Sequence, residues 1–260
     1  MALEFSLVIP TYNERENLPH LFAAVSRSLK GREFEIILVD DDSPDKTWAA
    51  AEDLQKTCPF LQVIRRRSER GLSSAVICGF RRATGKFLGV MDADLQHDEN
   101  RLPELLMKIQ NADFAIATRR AAGGNDGKWC WSRRLTSAIA TTLAKKVAHI
   151  SLSDPMSGFF VMRRALFEAV DDGSLKPRGY KVLLYLYARC LQRFGPAAVR
   201  LAEVGYQFRQ RQFGRSKLSS QVVFEYLAML FTLRAHARGG LVRGKLPQAT
   251  SHSPCLPSSA

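Results

Sequence analysis

Short apolar runs and longer segments with helical spacing alternate along the first 120 residues of the chain. Each apolar run is rich in Val, Ile, Leu and Phe and is bounded by polar or turn-forming residues, which is the pattern of a buried strand. The strands predicted in this way are Phe5–Ile9, which Pro10 ends, Glu35–Val39, Leu61–Ile64, Lys86–Met91 and Asp113–Thr118.

The segments between these strands carry apolar residues on one face of a helix. They are Arg15–Leu29, Thr47–Thr57, Gly71–Thr84 and Arg101–Gln110. Regular alternation of strand and helix is typical of βαβ units. The pattern therefore predicts an α/β fold with a mostly parallel sheet flanked by helices.

Polar clusters follow three of the predicted strands. They are Thr11–Glu14, Asp40–Asp42 and Asp92–Gln96. The carboxyl ends of parallel strands lie at one edge of a sheet, and open α/β sheets bind their ligands at that edge. We therefore expect the three clusters to meet at one ligand site.

The pair Asp92-x-Asp94 is the strongest candidate for metal binding. Two carboxylates this close repel each other unless a cation lies between them. Mg²⁺ and Mn²⁺ commonly bind through one or two carboxylates together with substrate phosphates. An isolated Asp-x-Asp is more often an acidic loop or a helix cap. Here the convergence of three polar clusters on one edge favours the metal site.

The second half of the chain has a different pattern. Its predicted elements are an amphipathic helix with basic ends, Ser132–Ile150, a short strand, Phe159–Met162, an apolar helix, Tyr180–Phe194, a strand, Val199–Phe208, and the most apolar helix, Val222–Leu233. From about Arg238 the chain is rich in Gly, Pro, Ser and Arg and has no periodicity. Residues 238–260 are therefore predicted to be a disordered tail.

The net charge of +13 is concentrated in the second half. Residues 1–125 carry 17 basic and 18 acidic side chains, whereas residues 126–260 carry 21 and 7. Such an excess indicates an anionic partner, and nucleic acid, an anionic membrane surface and a phosphorylated substrate all fit it. The basic residues are interleaved with apolar helices, which suits a membrane surface better than a DNA groove.

Other features limit the class of protein. The five cysteines are scattered and form no C-x-x-C pair, which argues against a disulfide framework or a zinc site and suits a reducing compartment. The first residues have no basic segment followed by a long apolar one, so we expect no signal peptide. No uninterrupted apolar stretch reaches the roughly 18 residues of a membrane-spanning helix.

Familiar catalytic motifs such as G-x-S-x-G, H-E-x-x-H and the Walker glycine loop do not occur. Of the five histidines only His97 lies near the acidic edge, and we expect it to support the site rather than act as a general base. Arginine binds phosphate in bidentate fashion and lysine binds it as a point charge. The candidates for phosphate binding are Arg119, Arg120, Arg133, Arg134, Arg209, Arg211 and Lys217.

Five motifs follow one another along the chain, in the segments Pro10–Glu14, Val39–Asp45, Asp92–His97, Ser157–Phe159 and Arg211–Lys217. This ordered set, across residues 5–235, resembles the inverting GT-A glycosyltransferases of family 2, and most of all the polyprenyl (dolichyl) phosphate mannosyltransferases. The resemblance implies a GT-A fold over residues 1–237, with a nucleotide-sugar half, 1–120, and an acceptor and membrane-interface half, 121–237. The amphipathic helices of the second half would then rest against the membrane.

The resemblance also implies roles for individual residues. Catalysis would depend on Asp94, Arg119 and Arg133, and the acceptor phosphate would contact Arg119, Arg133 and Ser137. A divalent cation, Mg²⁺ or Mn²⁺, would be held by Asp92, Asp94 and Gln96. The nucleotide-sugar site would be formed by Pro10, Tyr12, Glu14, Val39, Asp41, Asp92, Ala93, Arg211 and Lys217.

The chain departs from the family's pattern at three positions. Lys46 stands where glycine usually follows Ser-Pro-Asp, Asp98 stands where proline usually follows the histidine, and Arg215 stands where an acidic residue is common. None of the three belongs to the proposed set of ligand contacts. Many relatives carry membrane-spanning helices at the carboxyl end, whereas this chain resembles the membrane-docked type that can require a small membrane-protein subunit.

The reaction implied by the resemblance is transfer of a mannosyl residue from GDP-mannose to a polyprenyl phosphate. It would take place at the cytoplasmic face of a membrane, the plasma membrane in a bacterium or the endoplasmic reticulum in a eukaryote. One alternative is another donor, such as UDP-glucose. A second is a non-catalytic basic module that binds lipid or nucleic acid, but a nucleic-acid partner is disfavoured because the ligand edge is acidic.

Overall fold

A seven-stranded sheet forms the centre of the computed structural model, which describes residues 3–124, 152–173, 175 and 181–210. The strands lie in the order β3-β2-β1-β4-β6-β5-β7. Their bounds are β1 Phe5–Thr11, β2 Phe34–Asp40, β3 Leu61–Arg65, β4 Phe87–Val90, β5 Phe114–Thr118, β6 Phe160–Arg163 and β7 Leu201–Gly205.

Six α-helices pack on this sheet within the described residues. They are α1 Leu18–Ser28, α2 Thr47–Gln55, α3 Leu72–Arg82, α4 Leu102–Lys108, α5 Arg164–Val170 and α6 Val182–Phe194. Single turns of 3₁₀-helix, Glu99–Arg101 and Ile109–Asn111, flank α4. The helices cover both faces of the sheet, so the strands are apolar on both sides.

The prediction of a mostly parallel sheet is confirmed. The pairs β1–β2, β1–β4, β2–β3 and β5–β7 are parallel, and only β6 runs antiparallel, between β4 and β5. Because Phe160 at the start of β6 pairs with Val90 at the end of β4, the loop 152–159 lies beside the loop after β4. We call this side of the sheet the carboxyl edge.

Alternating side chains of each strand enter two hydrophobic cores, one on each face. In β1, Phe5, Leu7 and Ile9 pack with α1 and α4, whereas Val8 packs with α3 and α6 on the other face. The period of two in a strand explains why one apolar run serves both cores.

Several predicted bounds differ from the structure. β1 continues through Pro10. The pairing of β1 with β4 ends at Val8, so the missing N–H of Pro10 does not interrupt it. The last predicted strand, Val199–Phe208, shortens to β7, and the prediction missed α5, which is only seven residues long.

Three predicted segments lie outside the described residues: the amphipathic helix Ser132–Ile150, the apolar helix Val222–Leu233 and the tail 238–260. The proposed division at residue 120 stays a prediction. Within the described part of the chain, no helix combines the length and apolar character needed to cross a membrane.

A buried carboxylate joins four chain segments at the opposite edge of the sheet. Glu35 accepts hydrogen bonds from Ser6 Oγ at 2.6 Å, from the N–H and Oγ1 of Thr84, both at 2.7 Å, and from Gln62 Nε2 at 2.6 Å. Its side chain needs no cation because four donors surround it.

Replacing Glu35 by Ala leaves the buried Ser6 hydroxyl and the partly buried donors of Thr84 and Gln62 without this acceptor, and a buried unsatisfied donor costs about 1–3 kcal/mol. We expect the free energy of unfolding, measured by urea denaturation, to fall by about 1–3 kcal/mol. Glu33→Ala, at an exposed position two residues earlier, is the control and should change stability by less than about 0.5 kcal/mol. Equal stability of the two variants would contradict the inference that Glu35 stabilises the fold as a hydrogen-bond acceptor.

Candidate active site

Asp92, which follows β4 by two residues, has one carboxylate oxygen with a partner and one without. Its Oδ2 lies 3.2 Å from His97 Nε2. Its Oδ1 is buried and has no hydrogen-bond partner among the described residues. A buried carboxylate oxygen without a donor is costly unless a cation or another ligand completes it. The structure therefore leaves a cation-binding atom where the sequence predicts a metal ligand.

The loop before β6 packs directly against this carboxylate. A methyl group placed on Gly158 would lie 2.7 Å from Asp92 Oδ2 and 3.2 Å from Oδ1. That separation is closer than van der Waals contact permits, so any larger residue at this position would displace the carboxylate. The motif Ser157–Gly158–Phe159 thus acts by leaving room for Asp92.

His97 supports Asp92 from within an aromatic cluster. It is 4% exposed, and its Nδ1 lies 3.0 Å from the hydroxyl of Tyr206. The rings of Phe159, Tyr206 and Phe208 lie within 6 Å of the imidazole. The expectation that His97 is a supporting group rather than a general base agrees with this burial. Tyr206 was not identified from the sequence, because it follows a strand 109 residues further along the chain.

The remainder of the Asp92–His97 loop is tightly turned. Asp94 Oδ1 accepts a hydrogen bond from the Gln96 N–H at 3.2 Å, and Leu95 between them has a φ of 59°. A leucine in the left-handed region is strained and is typical of functional loops. The side-chain amide of Gln96 donates to the Arg209 carbonyl at 3.1 Å, which fixes its nitrogen end. The assignment of Asp94 and Gln96 as metal ligands stays a prediction.

The loops after β1 and β2 are joined by side-chain hydrogen bonds. Thr11 Oγ1 and Ser43 Oγ both donate to Asp40 Oδ2, at 2.9 and 2.6 Å. The Glu14 N–H donates to Thr47 Oγ1 at 2.9 Å. These contacts bring together the first two polar clusters, as the sequence predicts. The residues assigned to the nucleotide in this region are Pro10, Tyr12, Glu14, Val39 and Asp41.

Two of these residues differ in what they can offer a ligand. The Val39 side chain is fully buried in a hydrophobic core, so only its backbone is available. Tyr12 is half-buried, and the guanidinium of Arg70 lies 5.6 Å from the centre of its ring. Ala93, which also belongs to the predicted set, is buried beside Asp92.

Asp41 is oriented by a buried arginine. Its carboxylate accepts hydrogen bonds from Arg66 Nε and from the Gly71 N–H, both at 2.7 Å. Burial raises the pKa of Asp41 above its ordinary value, against the Gly71 and Arg66 interactions, which lower it. Arg66 was missed in the sequence because it lies in a polar run without a recognisable motif.

Arg119 is held by a partner that the sequence did not reveal. Its Nε and Nη2 donate to the two carboxylate oxygens of Asp154 at 2.7 and 2.8 Å, and both side chains are buried. Burial alone would raise the pKa of Asp154, but the hydrogen bonds and charge of Arg119 outweigh it and hold that pKa below its ordinary value. Asp154 thereby fixes Arg119 at the carboxyl edge, next to Phe208.

Five predicted site residues lie outside the described part of the chain: Arg133, Arg134, Ser137, Arg211 and Lys217. Arg209, which the charge pattern also suggested, is exposed and donates to Asp98 and Glu99 at 2.7 and 2.6 Å. Asp98, one of the departures from the family's pattern, therefore fastens the chain after β7 to the loop after β4.

The donor set fits a cation that substrate phosphates complete. Within residues 3–124, 152–173, 175 and 181–210, no three His, Cys, Asp or Glu side chains form a group that could hold a metal. Mg²⁺ and Mn²⁺ are commonly bound by one or two carboxylates, with substrate phosphates or water as the remaining ligands. The unpartnered oxygen of Asp92 is the observation on which this fit depends.

Comparison with known proteins gives the site a context. Residues 6–174 match the family described as "Glycosyl transferase family 2". A dolichol-phosphate mannosyltransferase of Pyrococcus furiosus is 42% identical over 89% of this chain, which spans only 64% of that relative. The enzyme of the same name from Saccharomyces cerevisiae is 36% identical, with 88% and 86% of the two chains covered. A polyprenol monophosphomannose synthase of Mycolicibacterium smegmatis is 33% identical, with 92% and 89% covered.

Solved structures confirm the GT-A-like fold. The crystal structure of glucosyl-3-phosphoglycerate synthase from Mycobacterium tuberculosis with Mn²⁺, UDP-glucose and phosphoglyceric acid superposes with a TM-score of 0.66 at 17% identity, and covers 91% of this chain and 80% of that one. The same enzyme with Mg²⁺ and UDP gives a TM-score of 0.63 at 16% identity over 94% and 81%. At this identity the likeness concerns the fold alone.

Replacing Asp154 by Asn should destabilise the protein in a pH-dependent way. At pH 7 the variant removes the carboxylate that pairs with the buried Arg119 guanidinium, and the loss is about 3 kcal/mol. Because the folded-state pKa of Asp154 lies below its ordinary value of 3.8, the carboxylate stabilises the protein above that value and loses this effect as the pH falls through the folded-state pKa.

The measurement for this prediction is urea denaturation of both proteins between pH 3 and 7. The difference in unfolding free energy between the natural protein and Asp154→Asn should have its largest value at pH 7 and should decrease below about pH 4. A difference that is independent of pH would show that the Asp154 charge does not stabilise the fold.

Replacing Lys46 by Gly should stabilise the protein. Lys46 precedes α2 with a φ of 61°, which is the left-handed region that glycine adopts without strain. We expect the unfolding free energy to rise by up to about 1 kcal/mol. Lys30→Gly is the control, because Lys30 is an exposed lysine without positive φ, and it should not stabilise. A loss of stability in Lys46→Gly would contradict the inference that the backbone at Lys46 is strained.

Proposed function

The chain belongs to glycosyl transferase family 2, and on that premise we propose that it transfers a mannosyl residue from GDP-mannose to a polyprenyl (dolichyl) phosphate. The observation that carries the proposal is the likeness to relatives named for this class of reaction, at 33–42% identity over 88–92% of the chain. The structure adds an assembled carboxyl edge in which Asp92 retains an unpartnered oxygen.

Asp92 and Asp94, with Gln96, are proposed to hold Mg²⁺ or Mn²⁺. Bound there, such an ion stabilises the negative charge that develops on the departing nucleoside diphosphate. The donor nucleotide would lie along the loops that carry Tyr12, Glu14 and Asp41. The other proposed contacts to the nucleotide sugar are Pro10, Val39, Ala93, Arg211 and Lys217.

The acceptor needs no general base in this scheme. A phosphate monoester is already an anion at neutral pH, so its oxygen can attack the anomeric carbon directly. The new C–O bond forms as the bond from that carbon to the diphosphate breaks, and the electron pair leaves with the diphosphate. This single displacement inverts the configuration. The burial of His97 between Asp92 and Tyr206 agrees with a reaction that uses no histidine base.

Positive side chains are needed because donor and acceptor repel each other. Arg119, Arg133 and Ser137 are proposed to contact the acceptor phosphate. Arg119 is suited to a fixed contact, because Asp154 holds its guanidinium on two oxygens and so limits its motion. Holding two anions in line is the main task of such a site.

The proposed acceptor is a lipid, so the enzyme would work at a membrane surface. The excess of basic residues in positions 126–260 suits the cytoplasmic face, where anionic lipids attract positive charge. A small membrane-protein subunit that completes the docking belongs to the same proposal.

Other readings receive less support. The solved structures that bind UDP-glucose are only 16–18% identical, so they do not argue for that donor here. A non-catalytic basic module does not explain why three polar clusters meet at one acidic edge. It also leaves the unpartnered oxygen of Asp92 without a purpose.

The proposal is tested by incubating the protein with labelled GDP-mannose or UDP-glucose, polyprenyl phosphate and Mg²⁺, followed by lipid extraction. We expect label in the lipid phase with GDP-mannose, and at least about a 100-fold lower rate for Asp94→Asn. Asp53→Asn, at an exposed position on α2, should leave the rate unchanged. Faster transfer from UDP-glucose would overturn the mannosyl assignment, and near-normal turnover of Asp94→Asn would overturn the metal site.

A further inference from the structure

Three polar side chains form a continuous series of hydrogen bonds behind the proposed metal site. The Tyr206 hydroxyl lies 3.0 Å from His97 Nδ1, and His97 Nε2 lies 3.2 Å from Asp92 Oδ2. This series of hydrogen bonds ends at Asp92, whose Oδ1 has no hydrogen-bond partner among the described residues. The three groups come from the ends of β4 and β7, which are separated by two other strands of the sheet.

The hydrogen atoms in these hydrogen bonds can be assigned from the chemistry of the three side chains. An ionised carboxylate only accepts hydrogen bonds, so the hydrogen between His97 and Asp92 lies on Nε2. Burial raises the pKa of Tyr206, so its phenol keeps its proton and can donate to Nδ1. The hydrogen bond to the carboxylate therefore places a hydrogen on His97 Nε2, and Nδ1 faces the Tyr206 hydroxyl.

The surroundings restrict these groups to one geometry. Tyr206 is fully buried, and the imidazole packs against the rings of Phe159 and Phe208. Placing two polar side chains in such a core costs free energy, which apolar residues of the same size would avoid. Among the described residues, the side-chain hydrogen bonds of His97 and Tyr206 connect them to each other and to Asp92, which indicates that they support the carboxylate.

We propose that His97 and Tyr206 are positioning residues that hold Asp92 Oδ2 and thereby present Oδ1 to the divalent cation. This inference rests on the proposed function, since it assumes that Asp92 is a metal ligand. Outer groups that orient a ligand in this way typically change metal affinity by about 10- to 100-fold when they are removed. Gly158 completes the arrangement, because its missing side chain lets the carboxylate occupy this position.

The test is Mn²⁺ affinity, measured by the electron paramagnetic resonance signal of free Mn²⁺ in the presence of GDP, with a second series in UDP. Tyr206→Phe removes only the hydroxyl and should weaken Mn²⁺ binding by about 10-fold. Tyr187→Phe is the matched control, because Tyr187 is 2% exposed but lies in the core on the opposite face of the sheet. It should bind Mn²⁺ as the natural protein does.

A second pair of variants separates positioning from general structural support. His97→Gln keeps an N–H donor that can reach Asp92, whereas His97→Phe fills the same space without a donor. We expect His97→Gln to retain more Mn²⁺ affinity than His97→Phe. Nitrogen-15 spectra of the natural protein should show a proton on His97 Nε2, and thermal unfolding of each variant reports whether it is folded.

The outcomes distinguish this inference from the proposed function. If the natural protein binds Mn²⁺ through Asp92, which Asp92→Asn checks, and folded Tyr206→Phe and His97→Phe bind it equally well, only the positioning role is overturned. If the natural protein binds no Mn²⁺ in either nucleotide, the metal site and its support are both overturned. If it binds Mn²⁺ and the order of affinities is as expected, while no sugar is transferred, the proposed function alone is wrong.

Discussion

Buried carboxylates that need donors organise the carboxyl edge of the sheet. Asp40 is satisfied by Thr11 and Ser43, Asp41 by Arg66 and Gly71, and Asp154 by Arg119. Each of these pairings fixes one loop relative to another. Among the described residues, Asp92 is the carboxylate that keeps a buried oxygen without any partner. The paired carboxylates therefore hold the loops in fixed positions, and the unpaired oxygen of Asp92 is the position where a ligand can bind.

Backbone strain is concentrated at the same edge. The four non-glycine residues with positive φ in the described part of the chain are Asn13, Asp42, Lys46 and Leu95, all in the loops after β1, β2 and β4. Such conformations persist only where the surrounding structure holds them in place. Here the hydrogen bonds between loops provide that restraint. Lys46 shows the cost most directly, because its φ of 61° is one that glycine adopts without strain.

The predictions from sequence succeeded where the physical cause is local. Strand β2 and helix α3 follow from apolar periodicity, and their bounds differ from the predicted ones by only one or two residues. The predictions failed where a partner lies far along the chain. Asp154 is 35 residues from Arg119, and Tyr206 is 109 residues from His97. No periodicity relates such pairs, since the order of strands in the sheet decides which loops become neighbours.

The amino-acid sequence by itself determined the α/β class, the order of strands and helices over the first 120 residues, and the edge at which polar residues gather. It did so because burial periodicity and turn residues act over a few positions. The tertiary structure alone decided which oxygen of Asp92 is held by His97 and which is left for a ligand. That choice depends on an antiparallel strand, β6, that brings Gly158 against the carboxylate, and on a distant strand end that places Tyr206 behind the imidazole.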